Sequence, residues 1–496
     1  MERAVDDLDR EYREWRRGSV ADAGRSAARL DYRPLVSVVM PVYETPAGLL
    51  RDAVRSLRSQ TYGRWQLCIA DDGSRSRQLR LELVRLRIRH PFRVRAVRLR
   101  ENRGIATACN AALAQARGDF VAFLDHDDLL EPDGLEQVVK RLNERPEADF
   151  LYSDEDKLSP GGVRTEPAFK PDWSPDTLLS MNYVNHLSVV RRDLLERLGG
   201  LRTGFDGSQD YDLVLRVAET TDRIEHVPCV LYRWRVRHGS AAGETFAKPY
   251  AFEAAKRALR EAVERRGIDA TVEDGRFAGS YRVRYALRGR PAVAVAGPGA
   301  DRLCAATGYE GAFATPDPLA GEAAEHVLLL AAACAPAAPG WLEALLEHAQ
   351  REEIGAVGAR LVSPEGRIVH DGVTVGLGSD CRMAPAGHGY LGLGEVVRNV
   401  SAVAGCVLTR ASLLRELGGL DGRMHPVLAQ VDYCLRLRER GYRIVYTPFA
   451  ELVTSADLQP ASDDDTTAPF YERWRGTRDP YYNPNLSRTR LYRLDV

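Results

Sequence analysis

The 496-residue chain lacks the cysteine patterns that bind zinc or cross-link a small extracellular domain. Its eight cysteines are scattered, and no two of them form a C-x-x-C pair. This spacing favours reduced thiols over a disulfide framework or a zinc site. The length allows two to four domains, each with its own core.

Long apolar runs are also missing. The N-terminus is charged from its second residue, so it lacks the apolar core of a signal peptide. The best apolar candidate, HVLLLAAACAPAAPGW at residues 326–341, is too short to span a bilayer and is interrupted by prolines. Together with the reduced cysteines, these features predict a cytoplasmic protein, with peripheral contact at the inner face of the plasma membrane as an option.

Lysine is scarce, and arginine takes its place. Only five of the 69 basic residues are lysines, and residues 75–103 contain eleven arginines but only two acids, Glu82 and Glu101. The arginine-rich composition of the whole chain explains part of this run. Such a run also attracts anionic lipid headgroups and diphosphate-linked lipids. No recognised nucleic-acid-binding module accompanies it, so we expect no nucleic acid partner.

From residue 35 onward, strand-like and helix-like patterns alternate. Residues 1–34 form an N-terminal helical segment with an apolar stripe. The strand-like runs that follow are VSVVMPVY, QLCIA, RVRAVRL and FVAFL, and helical patterns separate them. This alternation predicts an α/β fold with a mostly parallel, doubly wound sheet.

An acidic cluster follows the strand-like run FVAFL. It consists of Asp125, His126, Asp127 and Asp128, and it lies at the carboxyl edge of the predicted sheet. Ligands bind at that edge in open α/β sheets, and crowded carboxylates repel one another unless a cation offsets them. Mg²⁺ and Mn²⁺ prefer oxygen ligands and commonly bridge to phosphates. The alternative is a solvated acidic turn that caps the next helix.

The order of several motifs along the chain indicates a family. VSVVMPVYE, IADDGS, ENRGIATACNAAL, FVAFLDHDDLLEPD and GSQDYDL resemble the inverting family-2 glycosyltransferases. YSDEDK, FKPDW and DPYYNPNLSR resemble a subgroup of bacterial enzymes of polysaccharide assembly. The resemblance implies a glycosyltransferase A fold and metal-dependent transfer of a sugar from a nucleotide-diphosphate donor. The implied acceptor is a hydroxyl of a glycan or of a polyprenyl-diphosphate-linked glycan.

The resemblance also assigns roles to individual residues. Pro41, Tyr43, Glu44 and Asp72 would hold the nucleotide, with Asp72 at the base. Asp125 and Asp127 would form the D-x-D motif that binds Mn²⁺ or Mg²⁺ beside the nucleotide sugar. Asp128 is an alternative to Asp127 as the direct ligand, and His126 is expected to support the site rather than bind the metal.

The same resemblance marks Asp210 as the catalytic base. A carboxylate at this position accepts the proton of the acceptor hydroxyl and makes it a better nucleophile. Asp212 could compete for this role. His238, in LYRWRVRHGSAA, would complete the metal site or contact the diphosphate.

The second half of the chain repeats part of the first. RRDLLERLGGL and SQDYDLVLRV match TRASLLRELGGL and AQVDYCLRLRE, which indicates a duplication. We expect a catalytic domain at residues 35–288 and a degenerate copy at 291–455. A flexible acidic loop and the C-terminal tail follow at 456–496.

In the predicted alignment of the two halves, this copy has no carboxylates at the positions of the metal site. The alignment sets the acidic cluster against Ala332, Ala333, Cys334 and Ala335, and it sets Asp432 against Asp210. Roughly two strand–helix units are also missing before this point. The copy would then serve scaffolding, acceptor binding or homodimer contacts. A protein whose catalysis has lapsed in both halves, acting as a carbohydrate-binding or assembly partner, is the alternative function.

Overall fold

The computed structural model of the protein describes residues 2–23, 30–236, 249–319, 324–377, 382–385, 390–459 and 465–496. These residues form two large β-sheets, one in each half of the chain, and helices flank both sheets. The α/β class predicted from the alternating pattern is therefore confirmed.

The first half alternates strands and helices as predicted. Up to the acidic cluster the elements are α1 (Glu2–Ala23), β1 (Val36–Val42), α2 (Ala47–Arg58), β2 (Trp65–Asp71), α3 (Arg77–Arg89), β3 (Val94–Arg98), α4 (Ile105–Leu113) and β4 (Phe120–Phe123). After the cluster come β5 (Leu129–Leu130), α5 (Gly134–Glu144), β6 (Phe150–Leu158), β7 (Arg164–Ala168), α6 (Pro175–Leu178), β8 (Ser188–Arg191), α7 (Arg192–Arg197), α8 (Gln209–Ala218), β9 (Ile224–Arg235) and α9 (Pro249–Arg265). A hairpin of β10 (Ala270–Asp274) and β11 (Tyr281–Tyr285) ends this half.

The first sheet has the strand order β3-β2-β1-β4-β8-β6-β9-β5, with β7 paired to β6. Strands β3, β2, β1 and β4 are parallel to one another. Strand β8 runs antiparallel to both of its neighbours, so the sheet is mixed. Because the four parallel strands end at one edge, Asp72 after β2 and Asp125 after β4 lie at that edge.

The second half repeats much of this arrangement. Its elements are β12 (Val293–Ala296), α10 (Ala300–Thr307), β13 (Ala312–Ala314), β14 (His326–Leu330), β15 (Ala335–Pro336), α11 (Trp341–Ala349), β16 (Ile354–Val362), β17 (Ile368–His370), β18 (Val373–Leu377), β19 (Arg382–Pro385), a 3-10 helix (Tyr390–Glu395), β20 (Arg398–Val400), β21 (Cys406–Arg410), α12 (Ala411–Glu416), α13 (Pro426–Glu439), β22 (Arg443–Val453) and α14 (Ala468–Trp474). Strands β18 and β19 pair with each other outside the main sheet.

The second sheet follows the path of the first without its outermost strand. Its order is β13-β12-β14-β21-β16-β22-β15, which corresponds to β2-β1-β4-β8-β6-β9-β5. Among the described residues, no element corresponds to α3, β3 or α4. The loss is therefore one strand and its two flanking helices, and β13 retains the place of β2.

Strand register corrects the alignment of the two halves. Phe120 pairs with Arg191 in the first sheet, and His326 pairs with Arg410 in the second. Matching these pairs sets Asp125, His126, Asp127 and Asp128 against Ala331, Ala332, Ala333 and Cys334, one residue earlier than predicted. The reason is a longer turn: residues 337–340 connect β15 to α11, whereas residues 131–133 connect β5 to α5. The prediction that the copy lacks the carboxylates of the acidic cluster is unaffected.

The predicted match of Asp432 with Asp210 is wrong. Arg436 donates to Asp432 and to the carbonyls of Leu417 and Gly419. In the first half, the same three bonds run from Arg216 to Asp212, Leu198 and Gly200. Asp432 is therefore the counterpart of Asp212, and counting back two residues places Gln430 opposite Asp210.

The halves and the C-terminal tail are packed together. Arg351 of the second half donates to Asp176 of the first at 2.6 Å. Phe470 and Trp474 of α14 are buried in the core of the second sheet, and Asn483 contacts the first half. The domain limits 35–288 and 291–455 remain predictions. Among the described residues, no helix has both the length and the apolar character needed to cross a membrane.

Candidate active site

A pocket of about 860 Å³ opens at the carboxyl edge of the first sheet. Four of the predicted site residues line it: Pro41, Asp125, Asp127 and Asp210. Tyr43, Glu44 and Asp72 are outside its lining, and His238 lies outside the described residues. The pocket thus combines two of the three predicted metal ligands with the predicted catalytic base, although they come from distant parts of the chain.

Asp128, the alternative metal ligand, lies in the protein interior, and both of its oxygens bond to β9. Its side chain is buried, with one oxygen accepting a bond from the hydroxyl of Tyr232 at 2.7 Å and the other from the amide of Arg235 at 2.7 Å. Burial, together with the charges of Asp125 and Asp127, raises the pKa of Asp128 well above its ordinary value. This aspartate therefore anchors β9 to the acidic cluster and leaves the pocket to Asp125 and Asp127.

His126 lies between the acidic cluster and β1. Its Nδ1 is 3.2 Å from the carbonyl oxygen of Pro41, and its Nε2 is 3.9 Å from Asp127. The ring therefore links the strand that carries Pro41 to the loop that carries Asp127. This position agrees with a supporting role.

The two pocket carboxylates suit a hard divalent cation that substrate helps to hold. Mg²⁺ usually binds to proteins through one or two carboxylates and completes its shell with phosphate oxygens and water. Asp125 and Asp127 supply such a pair. In the described part of the chain, no group of three or more histidine, cysteine, aspartate or glutamate side chains is arranged to hold a metal without a substrate. The residues present therefore fit Mg²⁺ or Mn²⁺ bound together with a diphosphate.

Asp210 lies in the first turn of α8 and faces the same pocket. The side-chain amide of Asn182 donates to its Oδ2 at 2.9 Å. Burial raises the pKa of Asp210 above its ordinary value, the nearby charge of Asp125 adds to this, and His186 and backbone amides oppose it. A partly desolvated carboxylate held in one orientation is suited to accept a proton.

Asp212, the competitor for this role, is a structural residue. It is fully buried, and Arg216 donates to its Oδ2 at 3.0 Å while Arg202 donates to both of its oxygens. Both partners are arginines, so the carboxylate is neutralised inside the fold. The contacts of Asp212 favour Asp210 as the proton acceptor.

Asp72 shapes the loop beside the pocket. Its oxygens accept bonds from the amides of Arg103 at 2.8 Å and Gly104 at 3.0 Å. Gly73 has a φ of +74°, and a Cβ there would lie 2.5 Å from the backbone of Glu101. A glycine is therefore required after Asp72, and the tight turn brings Gly104 to the pocket wall.

Tyr43 and Glu44 lie next to this turn. Tyr43 has 48% of its surface exposed, which leaves its ring open to a ligand. Glu44 has a φ of +46°, and its carboxylate accepts a bond from the amide of Arg75 at 2.7 Å. These contacts hold the end of β1 against the turn after β2.

The sequence analysis missed the residues of the segment 174–187, which forms another wall of the pocket. Asn182 and His186 of this segment line the pocket. The ring of His186 stacks on Tyr232 at 4.4 Å, and Tyr232 in turn donates to Asp128. The segment therefore contacts the predicted base directly and is linked to the acidic cluster through Tyr232.

Lys170 holds the far end of this segment. It is fully buried, and its ammonium donates to the carbonyls of Val184 and His186, both at 2.6 Å, with Glu155 at 3.3 Å. Glu155 also accepts a bond from the amide of His186 at 3.0 Å. Burial lowers the pKa of Lys170, and the nearby acids oppose this. The Lys170 ammonium thus fixes the backbone of the segment next to the pocket.

The motifs YSDEDK, FKPDW and DPYYNPNLSR meet in one buried polar network. Asp154 accepts bonds from the amide of Lys170 at 2.8 Å and from Asn483 at 2.9 Å, and it contacts His226 at 3.0 Å. Asp172 contacts the other ring nitrogen of His226 at 2.9 Å. The sequence marked these motifs, but only the fold connects the C-terminal tail to the lysine behind the pocket.

The chain was also compared with known proteins. Residues 37–199 match the model of a family described as Glycosyl transferase family 2. The chain is 35% identical over 552 residues to the uncharacterized protein y4gI of Sinorhizobium fredii, across 96% of this chain and 60% of that protein. It is 34% identical over 537 residues to the O-antigen biosynthesis protein RfbC of Myxococcus xanthus, across 95% of this chain and 42% of that protein. The chain spans about half the length of these relatives.

A mannosyltransferase from Pyrobaculum calidifontis, solved in complex with GDP-Man and Mn²⁺, is similar to this chain at 21% identity and a TM-score of 0.38. That match covers 53% of this chain and 74% of the solved chain. The family match, by contrast, spans β1, the turn after β2 and the acidic cluster, which carry the motifs named above. The family match and the Myxococcus xanthus relative confirm the resemblance, and residues 37–199 form a glycosyl transferase family 2 domain.

Proposed function

We propose that the chain transfers a sugar from a nucleoside-diphosphate donor to a hydroxyl of a growing glycan or lipid-linked glycan, with inversion at the anomeric carbon. One observation carries this proposal: Asp210, oriented by Asn182, lines the same pocket as Asp125 and Asp127. A proton acceptor and a pair of carboxylates for a diphosphate-bound cation are the two parts that a single displacement needs.

Asp210 acts on the acceptor. Its carboxylate takes the proton of the attacking hydroxyl as the new bond forms, so the nucleophile becomes more reactive only in the transition state. The hydrogen bond from Asn182 fixes the orientation of the carboxylate, whose oxygens each have two lone pairs and can still accept the acceptor's proton. A sugar attacked on the face opposite the departing diphosphate inverts its configuration.

Asp125 and Asp127 would hold Mg²⁺ or Mn²⁺. Bound there with the donor, the cation would stabilise the negative charge that develops on the departing diphosphate. Asp128 anchors the loop that carries both ligands, because Tyr232 and Arg235 of β9 bond to its oxygens. His238 remains a proposed contact of this site.

Pro41, Tyr43, Glu44 and Asp72 would form the nucleotide side. The exposed ring of Tyr43 can stack on the base, and Pro41 lines the pocket wall. The Asp72 oxygens already accept two backbone amides, and each retains a lone pair for a ring N–H or a ribose hydroxyl.

The second half acts as a scaffold for the catalytic pocket. Asp176, at the start of segment 174–187, is buried and bonds to Arg351 at 2.6 Å and to Asn399 at 2.7 Å, with Arg443 at 3.5 Å. Burial opposes ionisation of Asp176, but the two guanidinium groups outweigh it and hold its pKa below the ordinary value. The segment that carries Asn182 is thus anchored by side chains of the degenerate copy.

The name of the Myxococcus xanthus relative, an O-antigen biosynthesis protein, supports polysaccharide assembly as the process in which the chain acts.

The seven described cysteines form no disulfide among themselves, which suits a reducing compartment, so we propose the cytoplasm as the site of action.

A panel of nucleotide sugars tests the proposal. Donor hydrolysis and transfer are measured with Mn²⁺, with Mg²⁺ and with a chelator, and Mn²⁺-dependent binding of the matching nucleoside diphosphate is followed by calorimetry. We expect one donor to be consumed only with metal present and its configuration to invert. Absence of metal-dependent binding for every nucleotide tested would favour a lapsed assembly partner instead.

A further inference from the structure

The outer face of α3 exposes an unusual amount of apolar surface. Leu81, Val84 and Ile88 are exposed by 46%, 51% and 73%, and Phe92, in the turn after the helix, by 94%. The spacing of three and four residues puts the three helical side chains on one stripe. These three side chains span about 10 Å along the 13-residue helix, and Phe92 extends the apolar surface past its end.

Arginines surround this stripe. Eleven arginines occur between residues 75 and 103. Arg85 and Arg98 have a carboxylate within salt-bridge distance, Glu82 at 3.7 Å and Asp71 at 3.2 Å. No described carboxylate forms a salt bridge with Arg87 or with the other members of the run, which are Arg75, Arg77, Arg80, Arg89, Arg93, Arg95, Arg100 and Arg103. The face therefore presents apolar side chains within a strongly positive field.

The stripe continues into a groove at the edge of the sheet. Strand β3 is the outermost strand, and a groove of about 470 Å³ lies between it and α3. Val84, Ile88 and Val94 form apolar walls, and Arg87 and Arg95 contribute guanidinium groups to the lining. Apolar contact and anion binding are thus offered side by side.

We propose that this α3 face, consisting of Leu81, Val84, Ile88, Phe92 and the arginines around them, docks on the surface of an anionic lipid bilayer. Helices with apolar residues on one stripe and basic residues beside it lie in the interface, with the apolar side chains below the phosphate level. Arginines gain from phosphate headgroups both bidentate hydrogen bonds and long-range attraction. The link to catalysis rests on the proposed function, because a lipid-linked acceptor would be found at that surface.

A second copy of the chain and a nucleic acid both fit this face less well than a bilayer. In a twofold contact, the same patch of a second copy would lie opposite, and the two arginine clusters would repel each other. A nucleic acid would pair with the arginines but would leave the apolar stripe, including Ile88 and Phe92, in water. An anionic bilayer can bury the apolar side chains and also bind the arginines through its phosphate groups.

Vesicle sedimentation tests the inference with the full chain and no donor or acceptor. Vesicles of phosphatidylcholine alone are compared with vesicles that also contain phosphatidylglycerol, at low and at high salt. We expect binding to the anionic vesicles only, weakened by salt.

The double variant Ile88→Asp/Phe92→Asp should lower the partition coefficient by about a hundredfold, at about tenfold for each apolar side chain lost. Arg87→Gln/Arg89→Gln should lower it by about fivefold for each arginine.

Matched controls separate this surface from general effects. Val163→Asp changes an apolar residue that is 44% exposed elsewhere in the first half, and Arg290→Gln/Arg367→Gln removes two exposed arginines, one between the halves and one in the second half. Both controls should bind vesicles as the unmodified chain does. All variants should keep its melting temperature, and Ile88→Asp/Phe92→Asp should keep its rate of donor hydrolysis.

Two kinds of result would overturn the inference. One is absence of binding to anionic vesicles at low salt, or binding that the α3 variants leave unchanged. The other is a stable dimer that Phe92→Asp dissociates, which would assign the face to a second copy. Neither result bears on sugar transfer, which is measured separately with a water-soluble acceptor.

Discussion

The two halves of the molecule share a strand order but differ at the edge where the first half has its pocket. After β4 the first half places Asp125 and Asp127, whereas after β14 the second half places only alanines and a cysteine. Asp210 is matched by Gln430, which donates to the carbonyl of Leu329 at 3.1 Å and accepts from the amide of Gly405 at 2.7 Å. An amide that bonds to the end of β14 thus lies at the position of the proposed catalytic carboxylate.

The buried ion pair survives in both halves. Asp212 bonds to Arg216, and Asp432 bonds to Arg436, each four residues apart on its helix. Removing one partner of a buried pair leaves an uncompensated charge, so such pairs are hard to lose. The comparison shows that the second copy retains the buried ion pair and lacks the carboxylates that we propose to act on the substrate.

The largest effect is expected for Asp210→Asn. Turnover should fall by about 10²–10⁴-fold because an amide cannot accept the proton of the acceptor, while donor affinity stays the same. The raised pKa of Asp210 puts the acid limb of the pH–turnover profile above the ordinary range of an aspartate, with activity lost as the pH falls through it. The variant should lose this limb. Steady-state kinetics across pH, with calorimetry for the donor, check both expectations.

Asp193→Asn is the control for this variant, because Asp193 lies on α7 with 61% of its side chain exposed. If Asp210→Asn abolished donor binding instead of turnover, Asp210 would be a structural residue.

Asp127→Asn should have the next largest effect, on the order of a hundredfold in turnover, because it removes a proposed ligand of the cation. The same substitution should abolish the part of nucleoside-diphosphate affinity that depends on Mn²⁺. Calorimetric titrations with and without Mn²⁺ measure this part. Asp301→Asn, which removes an exposed carboxylate from α10 of the second half, serves as the control. Wild-type metal dependence in Asp127→Asn would exclude Asp127 as a ligand.

Asn399→Leu tests the scaffold role of the second half. It removes the hydrogen bonds that Asn399 makes with Asp176 and Ser174, and the segment with Asn182 should shift slightly. A small misplacement costs about tenfold to a hundredfold in turnover, without a change in donor affinity. Kinetics that separate kcat from KM check this result.

Arg440→Gln is the matched change for this test, because it breaks a surface pair with Glu416 in the same half. Equal losses in both variants would mean that the second half acts only through global stability.

The smallest effect on transfer is expected for Asp432→Asn. Asp432 is fully buried and bonds to Arg436, Arg473 and Trp474, so its loss should lower the free energy of unfolding by about 3 kcal/mol. Transfer per folded molecule should stay unchanged. Urea unfolding and activity are measured on the same samples. Loss of transfer at full stability would mean that Asp432 takes part in the reaction.

Much of the architecture could be predicted from the sequence because local patterns determine it. The apolar run Phe120–Leu124 predicted a buried strand, and chain direction then placed Asp125 and Asp127 at the ligand-binding edge. The equivalence of Asp432 could not be predicted this way. An Asp-Tyr pair in each half aligned Asp210 with Asp432, and only the bonds of Arg436 identify the true counterpart.

The remaining part of the site depends on contacts between distant segments. Asn483 of the tail bonds to Asp154 and to the carbonyl of Lys170, which lie 329 and 313 residues earlier in the chain. Such polar residues carry no periodic signal in the sequence. Their role follows from burial and from the geometry of their hydrogen bonds.

The number of donor sites per chain tests the central claim most directly, namely that one half is catalytic and the other is its scaffold. Calorimetric titration of the full chain with the matching nucleoside diphosphate and Mn²⁺ should give one site, and Asp127→Asn should abolish its metal-dependent affinity. Two equivalent sites per chain, or one site that Asp127→Asn leaves intact, would contradict the account.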